Sequence, residues 1–244
     1  MFFDFTNPWM MLFLVALIVE NISVYITEPA KLLTLLLSIP GILIAITFHE
    51  FAHAFVADKL GDDTPRRQGR LSLNPLAHLD IYGTFLMIVA GFGWGKPVQI
   101  NPNNFRRTIT IKKGEALVSI AGPAMNLILA IVFSIIYGLI IKFGGLTFIL
   151  SSTGSIISEI IQYIIAMNVG LCVFNLLPLP PLDGSKILLA FLPTKAQTWF
   201  EEHEKMLYII FIVIWLTPIS SLLIEPGINA INSALLKLIQ TIVL

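Results

Sequence analysis

Apolar runs of about twenty residues restrict what this chain can fold into more than any motif does. A bilayer core is about 30 Å thick and a helix rises about 1.5 Å per residue, so roughly 20 mostly apolar residues make one span. Trp9 to Tyr25 is such a run, interrupted by Glu20 and closed by Glu28-Pro29. Leu32 to Ala57 is the second, with Pro40-Gly41 as an expected kink. Ala116 to Ile141, Ile156 to Leu177 and Met206 to Leu223 follow. Ile228 to Leu244 is shorter and carries Asn229, Asn232, Lys237 and Gln240, so it either spans or lies amphipathically in the interface. Composition agrees: 56% of the 244 residues are hydrophobic and only 12% charged, where a soluble domain has about 25%. The expected fold class is an all-α polytopic membrane protein of about six hydrophobic helices, with the lipid bilayer as its surroundings.

No soluble segment is long enough for a second core, so residues 1–244 are expected to form a single membrane-embedded domain. The formal net charge is zero and no large basic cluster stands out, which gives no reason to expect nucleic acid as a partner. The single cysteine, Cys172, lies in an apolar stretch and reads as a small buried residue. The N-terminal MFFDFTNPW lacks a basic region and a small-residue cleavage site, so a removed signal peptide is not expected.

Lys59 to Gly114 differs in kind. It holds Lys59, Arg66, Arg67, Arg70, Lys96, Arg106, Arg107, Lys112 and Lys113, nine of the fifteen basic residues, and the positive-inside rule places it in the cytoplasm. Counted outward, Lys186, Lys195 and Lys205 also fall inside, and Lys31 and Lys142 outside. Thr84 to Gly93 is apolar but too short to span, which makes residues 59–114 a cytoplasmic or interfacial insertion with a re-entrant piece. Its flanks, RRQGRLSLN and KPVQINPNNF, alternate between Gly, Pro and Asn, so the insertion is expected to be a small β-containing segment on the cytoplasmic rim.

HEFAH, His49 to His53, carries the chemistry. Histidines four apart sit about 40° apart on one helix face and can share one metal ion, with Glu50 placed to take a proton from water. Ionisable groups in a span are costly and usually functional. From Leu32 to His49 the helix climbs about 26 Å, so the site falls in the cytoplasmic third of the bilayer or at its edge, where water can enter. Catalytic zinc normally has three protein ligands. Asp58 and His78 are candidates beyond the helix. Asp183 in NLLPLPPLDG is the preferred third ligand, because Pro178, Pro180 and Pro181 break the Ile156 to Leu177 run at the same cytoplasmic end, and irregular backbone at membrane depth is tolerated where it lines a wet cavity.

HEFAHAFVADKLGD, GRLSLNPLAHLD, the GPAMN of Gly122 to Asn126 and NLLPLPPLDG together resemble the site-2 protease family of intramembrane zinc metalloproteases, over about Pro40 to Pro193. The resemblance implies zinc on His49, His53 and Asp183, Glu50 as general base, and Asn175 near the metal helping to polarise the scissile carbonyl. It implies a substrate that is a transmembrane segment of another membrane protein. The chain departs from larger members in having no room for a PDZ or CBS domain, so control would come from a regulatory membrane partner, substrate shape or prior trimming. Gly122 reads as a close-approach position and Asn126 as a cross-helix hydrogen-bonding residue.

The reading is an intramembrane zinc metalloendopeptidase, multi-pass, in the cell membrane if prokaryotic, its site toward the cytoplasm. Its main alternative is a membrane metal transporter or metal-handling protein using the same ligands, which would have no need of Glu50. A non-catalytic scaffold is the other alternative, and it has no use for HExxH with a downstream LDG.

Overall fold

The computed structural model describes residues 15, 16, 19, 23–90, 94–215 and 217–244, with the side chains of 87–90 left aside. Most of the expected first span, Trp9 to Tyr25, lies outside the described residues. Among the described residues nine helices follow from Pro29 on. They are α1 (Pro29–Leu60), α2 (Thr64–Arg67), α3 (Ile81–Ala90), α4 (Ile111–Ile149), α5 (Ser152–Asn175), α6 (Asp183–Phe191), α7 (Thr194–Glu202), α8 (Glu204–Trp215) and α9 (Ile219–Val243). Among the described residues α1, α4, α5 and α9 are long and apolar enough to cross a membrane.

Local chemistry sets the ends of these helices. Pro29 opens α1 where a missing N–H costs nothing, and Gly61 closes it at φ 112°, its N–H reaching the Ala57 and Asp58 carbonyls. Thr110 caps α4 by accepting the Lys113 N–H, and Ser151 caps α5 by accepting that of Gly154. Pro40 sits inside an uninterrupted α1. The glycine beside it has the packing role: a Cβ on Gly41 would lie 2.9 Å from the Tyr163 carbonyl oxygen of α5.

Hydrocarbon offers helices no hydrophobic gain on association, so small residues and close approach hold a bundle together. Helix α4 shows this. Gly114, Val118, Gly122, Asn126, Ala130, Ser134 and Gly138, spaced by four, are all buried, and α4 packs against α1, α5, α6 and α9. Ala130, Val169 and Leu235 form the centre where α4, α5 and α9 meet.

Two expectations need correcting. The insertion contains no β-strand among its described residues: Leu79 and Gly95 make one isolated antiparallel bridge. Side chains take up the backbone groups that a ladder would pair. Asn74 and Asn101 accept the Leu76 and Asn103 N–H groups at the starts of two short 3-10 turns. Asp62 accepts the Asn101 N–H, Glu50 accepts the Val98 N–H, and the buried Arg70 guanidinium covers the Ala77 and Lys96 carbonyls. Pro75, Pro97 and Pro102 have no N–H to give. The alternation in GRLSLN and KPVQIN therefore reflects a side-chain-tied loop.

Met206 to Leu223 is likewise not one span. Helix α8 is described as far as Trp215, Thr217 and Pro218 lie in a bend and turn ahead of α9, and the apolar length passes to α9, which runs through Pro226 to Val243. Gly227 of α9 lies against Val173, near the Asp183 end of α5, while Ile242 packs on Gly138 and its carbonyl oxygen accepts from Lys142 Nζ at 2.7 Å. Helix α9 thus runs the length of the bundle, away from the HEFAH end. A cysteine replacing Leu244 in a Cys172→Ser background is expected to react with an impermeant maleimide from the membrane face opposite to one at Arg67. Labelling of both from the same face would show that α9 does not cross.

Candidate metal centre

His49 and His53 lie one turn apart on α1 and both are buried, with rings 4.6 Å apart between centroids and nearly perpendicular. Asp183, the first residue of α6, meets them: its Oδ2 is 3.1 Å from His49 Nε2 and 3.2 Å from His53 Nε2, and the two Nε2 atoms are 3.0 Å apart. Among the described residues these three are the His, Cys, Asp and Glu side chains grouped closely enough to hold a metal ion together.

The outer ring nitrogens settle what the inner ones present. His53 Nδ1 is 2.7 Å from the Val118 carbonyl oxygen, which can only accept, so Nδ1 carries the proton. His49 Nδ1 is 2.6 Å from Asn126 Oδ1, also an acceptor. In the neutral rings both Nε2 atoms are then bare, and Asp183 Oδ2 is buried without a hydrogen-bond donor. Three lone pairs converge with no proton between them, an arrangement that repels itself unless a cation sits among them. Tetrahedral zinc with bonds of about 2.0–2.1 Å sets its ligands roughly 3.3 Å apart, close to the observed spacing. The set fits zinc in chemistry and in scale.

Two glycines make this convergence sterically feasible. A Cβ on Gly122 of α4 would lie 2.5 Å from His53 Nε2 and 2.6 Å from His49 Cε1, in the space between the rings. A Cβ on Gly184 would run into the Leu176 and Leu177 carbonyl oxygens, so glycine there lets α6 start directly against the end of α5. Its neighbour Asp183 is held at the histidines by that contact.

Glu50 stands beside the set and outside it. It is half-buried, and its Oε2 accepts the Val98 N–H at 2.9 Å. The loop that supplies this N–H dips toward the bundle, with Gly95 against Ile46, three residues before His49. Arg70 and His78, both buried, feel the Glu50 charge. Burial pushes the His78 imidazole down from its ordinary pKa, so it is neutral and donates from Nε2 to the Ser72 carbonyl oxygen at 2.7 Å. Burial likewise lowers Arg70, partly offset by Glu50, though a guanidinium keeps its proton. For Asp62, burial alone would raise the carboxyl, but donors from Thr64, Asn101 and Asn104 outweigh it and hold it below its ordinary value, so a charged knot ties the loop to the end of α1.

The alternative third ligands are engaged elsewhere. Asp58 is paired to Arg66 by two hydrogen bonds of 2.8 and 2.7 Å. His78 is outside the cluster. Asn175 ends α5, and its amide donates to the Leu171 carbonyl in its own helix at 3.1 Å. Sequence reasoning understated Asn126, which touches His49 itself, and missed Asn168, buried beside it at 2.9 Å. A lone amide inside an apolar run is costly enough to have been a signal for Asn168.

Comparison with known proteins agrees with this geometry. The profile of peptidase family M50 matches residues 37–218. YwhC of Bacillus subtilis is 41% identical over 201 residues, 82% of this chain and 90% of its own. Rip2 of Mycolicibacterium smegmatis is 31% identical over 75% of this chain and 68% of its own. MJ0611 of Methanocaldococcus jannaschii is 29% identical over 65% and 72%. All three carry the words zinc metalloprotease in their names. No solved structure matches. Gly122→Ala is expected to push the histidine rings apart and to lower the zinc content of purified protein to background; full zinc occupancy in that variant would contradict the packing.

Proposed function

This chain belongs to peptidase family M50 and is a zinc metalloprotease, and from that premise we propose which of its residues do the work and on what. The observation that carries the proposal is the meeting of His49, His53 and Asp183 through bare Nε2 atoms and an unpartnered carboxylate oxygen, with a second carboxylate, Glu50, held just outside. These three hold the metal. Zinc there supplies Lewis acidity, which acidifies water and polarises a carbonyl.

Glu50 is the general base. Its carboxylate takes the proton of the attacking water and delivers it to the nitrogen of the leaving amine, while the Val98 N–H fixes the carboxylate's direction. Asn175, at the end of α5 where the chain breaks toward Asp183, turns its amide toward the oxyanion when substrate is present. A metal transporter would want every nearby carboxylate on the ion. The separation of Glu50 from the ligand set supports hydrolysis over transport.

The substrate is a transmembrane segment of another membrane protein. A helix in lipid pairs every carbonyl internally, so it is cut only where it unwinds next to water. The excess of basic residues in 59–114 supports a HEFAH end that faces the cytoplasm, and on that reading the cut falls in the cytoplasmic third of the substrate, near Gly, Asn or Pro. The enzyme acts as a single multi-pass membrane-embedded unit.

Glu50→Gln is expected to keep its zinc and lose about 10²- to 10⁴-fold in turnover, the range that general acid–base catalysis supplies. Asp183→Ala is expected to lose zinc and activity together. Metal analysis beside a peptidase assay on the purified variants checks both, and normal zinc in Asp183→Ala would remove it from the ligand set. Mass spectrometry of the products tests the substrate reading: replacing the helix-breaking residues of a cleaved segment with Leu should slow its cleavage, and efficient cutting of an unbroken poly-Leu helix near its outer end would overturn it.

A further inference from the structure

The amide chain behind His49 has a fixed direction. Asn168, fully buried on α5, donates from Nδ2 to the Ile164 carbonyl oxygen of its own helix at 2.8 Å. That carbonyl can only accept, so Asn168 must turn Oδ1 outward. Asn126, fully buried on α4, donates from Nδ2 to Asn168 Oδ1 at 2.9 Å and to the Ala45 carbonyl oxygen of α1 at 3.0 Å. Both of its N–H bonds are thereby used. Its Oδ1 is the atom left to face His49 Nδ1, and it does so at 2.6 Å.

We infer that Asn168 is a positioning residue for the metal centre: through Asn126 it selects the His49 tautomer that leaves Nε2 free to bind zinc. An asparagine can rotate by half a turn in nearly the same space, and the flipped Asn126 would offer N–H to the ring and draw the proton to Nε2. With its proton on Nε2 the imidazole cannot ligate from that atom. Two backbone carbonyls, Ile164 on α5 and Ala45 on α1, anchor the chain at both ends, and neither can reverse its role. Asn126 and Asn168 are fully buried and His49 nearly so, and a wrong tautomer has few solvent partners to compensate it. His53 needs no such device, because the Val118 carbonyl holds its proton on Nδ1 directly. The inference rests on His49 as a ligand, but the tautomer can be read in metal-free protein and so can fail independently of that assignment.

The test uses full-length protein in detergent, stripped of metal and held at a pH where the His49 ring is neutral, with isotope-labelled histidine, and reads the ring-nitrogen NMR shifts of His49, assigned by their loss in His49→Gln. Wild type is expected to show a protonated Nδ1 and a bare Nε2. Asn168→Leu should mix the tautomers and weaken zinc, measured by chelator competition, by about tenfold or more, the usual cost of losing an outer partner of a metal-binding histidine. Asn168→Asp keeps an oxygen that accepts from Asn126 in either protonation state, so it should bind zinc like wild type. A role in packing alone would not separate Leu from Asp in the tautomer. If Asn168→Leu does not fold, Asn168→Ser, too short to reach Asn126, takes its place with the same expected outcome. A neutral His49 ring protonated on Nε2 in wild type, or an unchanged His49 tautomer with unchanged zinc affinity in the folded variant, overturns the proposal.

Discussion

Everything at the HEFAH end depends on two protons being on the outer nitrogens of two histidines. With Nδ1 of His53 bonded to the Val118 carbonyl and Nδ1 of His49 to Asn126, both Nε2 lone pairs point at the Asp183 carboxylate, and the rest of the bundle is arranged to permit that. Val118, Gly122 and Asn126 are successive members of the four-residue series along α4. One helix face thus supplies a hydrogen-bond acceptor, a void and a second acceptor at the heights the HExxH spacing requires. A histidine pair four apart on α1 needs a partner helix with the same repeat.

That requirement explains the close packing. In lipid the bundle gains little from burying leucine, and cross-helix hydrogen bonds contribute on the order of 1 kcal/mol each. Glycine at 41, 122 and 184 brings α5, α4 and α6 to distances where such bonds and the three-residue cluster can form. The polar groups are buried because α4 and α5 each place an asparagine at the depth of His49. The same depth would be prohibitive for an amide without partners.

Much of this was readable from residue types and spacing. The histidine pair, Glu50 and Asp183 follow from a four-residue interval, a span end and a proline break, all local facts or counts along the chain. The span count followed less well, because hydropathy does not see Pro218 dividing Met206 to Leu223, nor the 25-residue helix that starts beyond it. The loop was misread for a different reason. Alternation in GRLSLN and KPVQIN is a signal about side-chain faces, but strand formation needs free backbone partners, and those are claimed locally by Asn74 and Asn101, across the insertion by Arg70, and from the end of α1 by Glu50 and Asp62. No single window of sequence contains the long-range part of that competition. Asn168 was overlooked because its meaning lies in the direction of a hydrogen-bond chain across three helices.

The structure divides the two halves of the reaction between two kinds of support. The groups suited to the metal sit on α1 and α6, clamped by α4 and α5 through bonds within the bundle. The group suited to moving protons, Glu50, is directed by a backbone N–H from a loop that is itself held by the Asp62 knot and the Arg70 guanidinium. The two supports are separate: the bonds that clamp the His49, His53 and Asp183 cluster do not run through the loop that directs Glu50. Rigidity is therefore concentrated where three lone pairs must converge within a few tenths of an ångström. Glu50 sits where that loop meets the bundle, so its direction follows the loop's own ties and not the bonds that clamp the cluster.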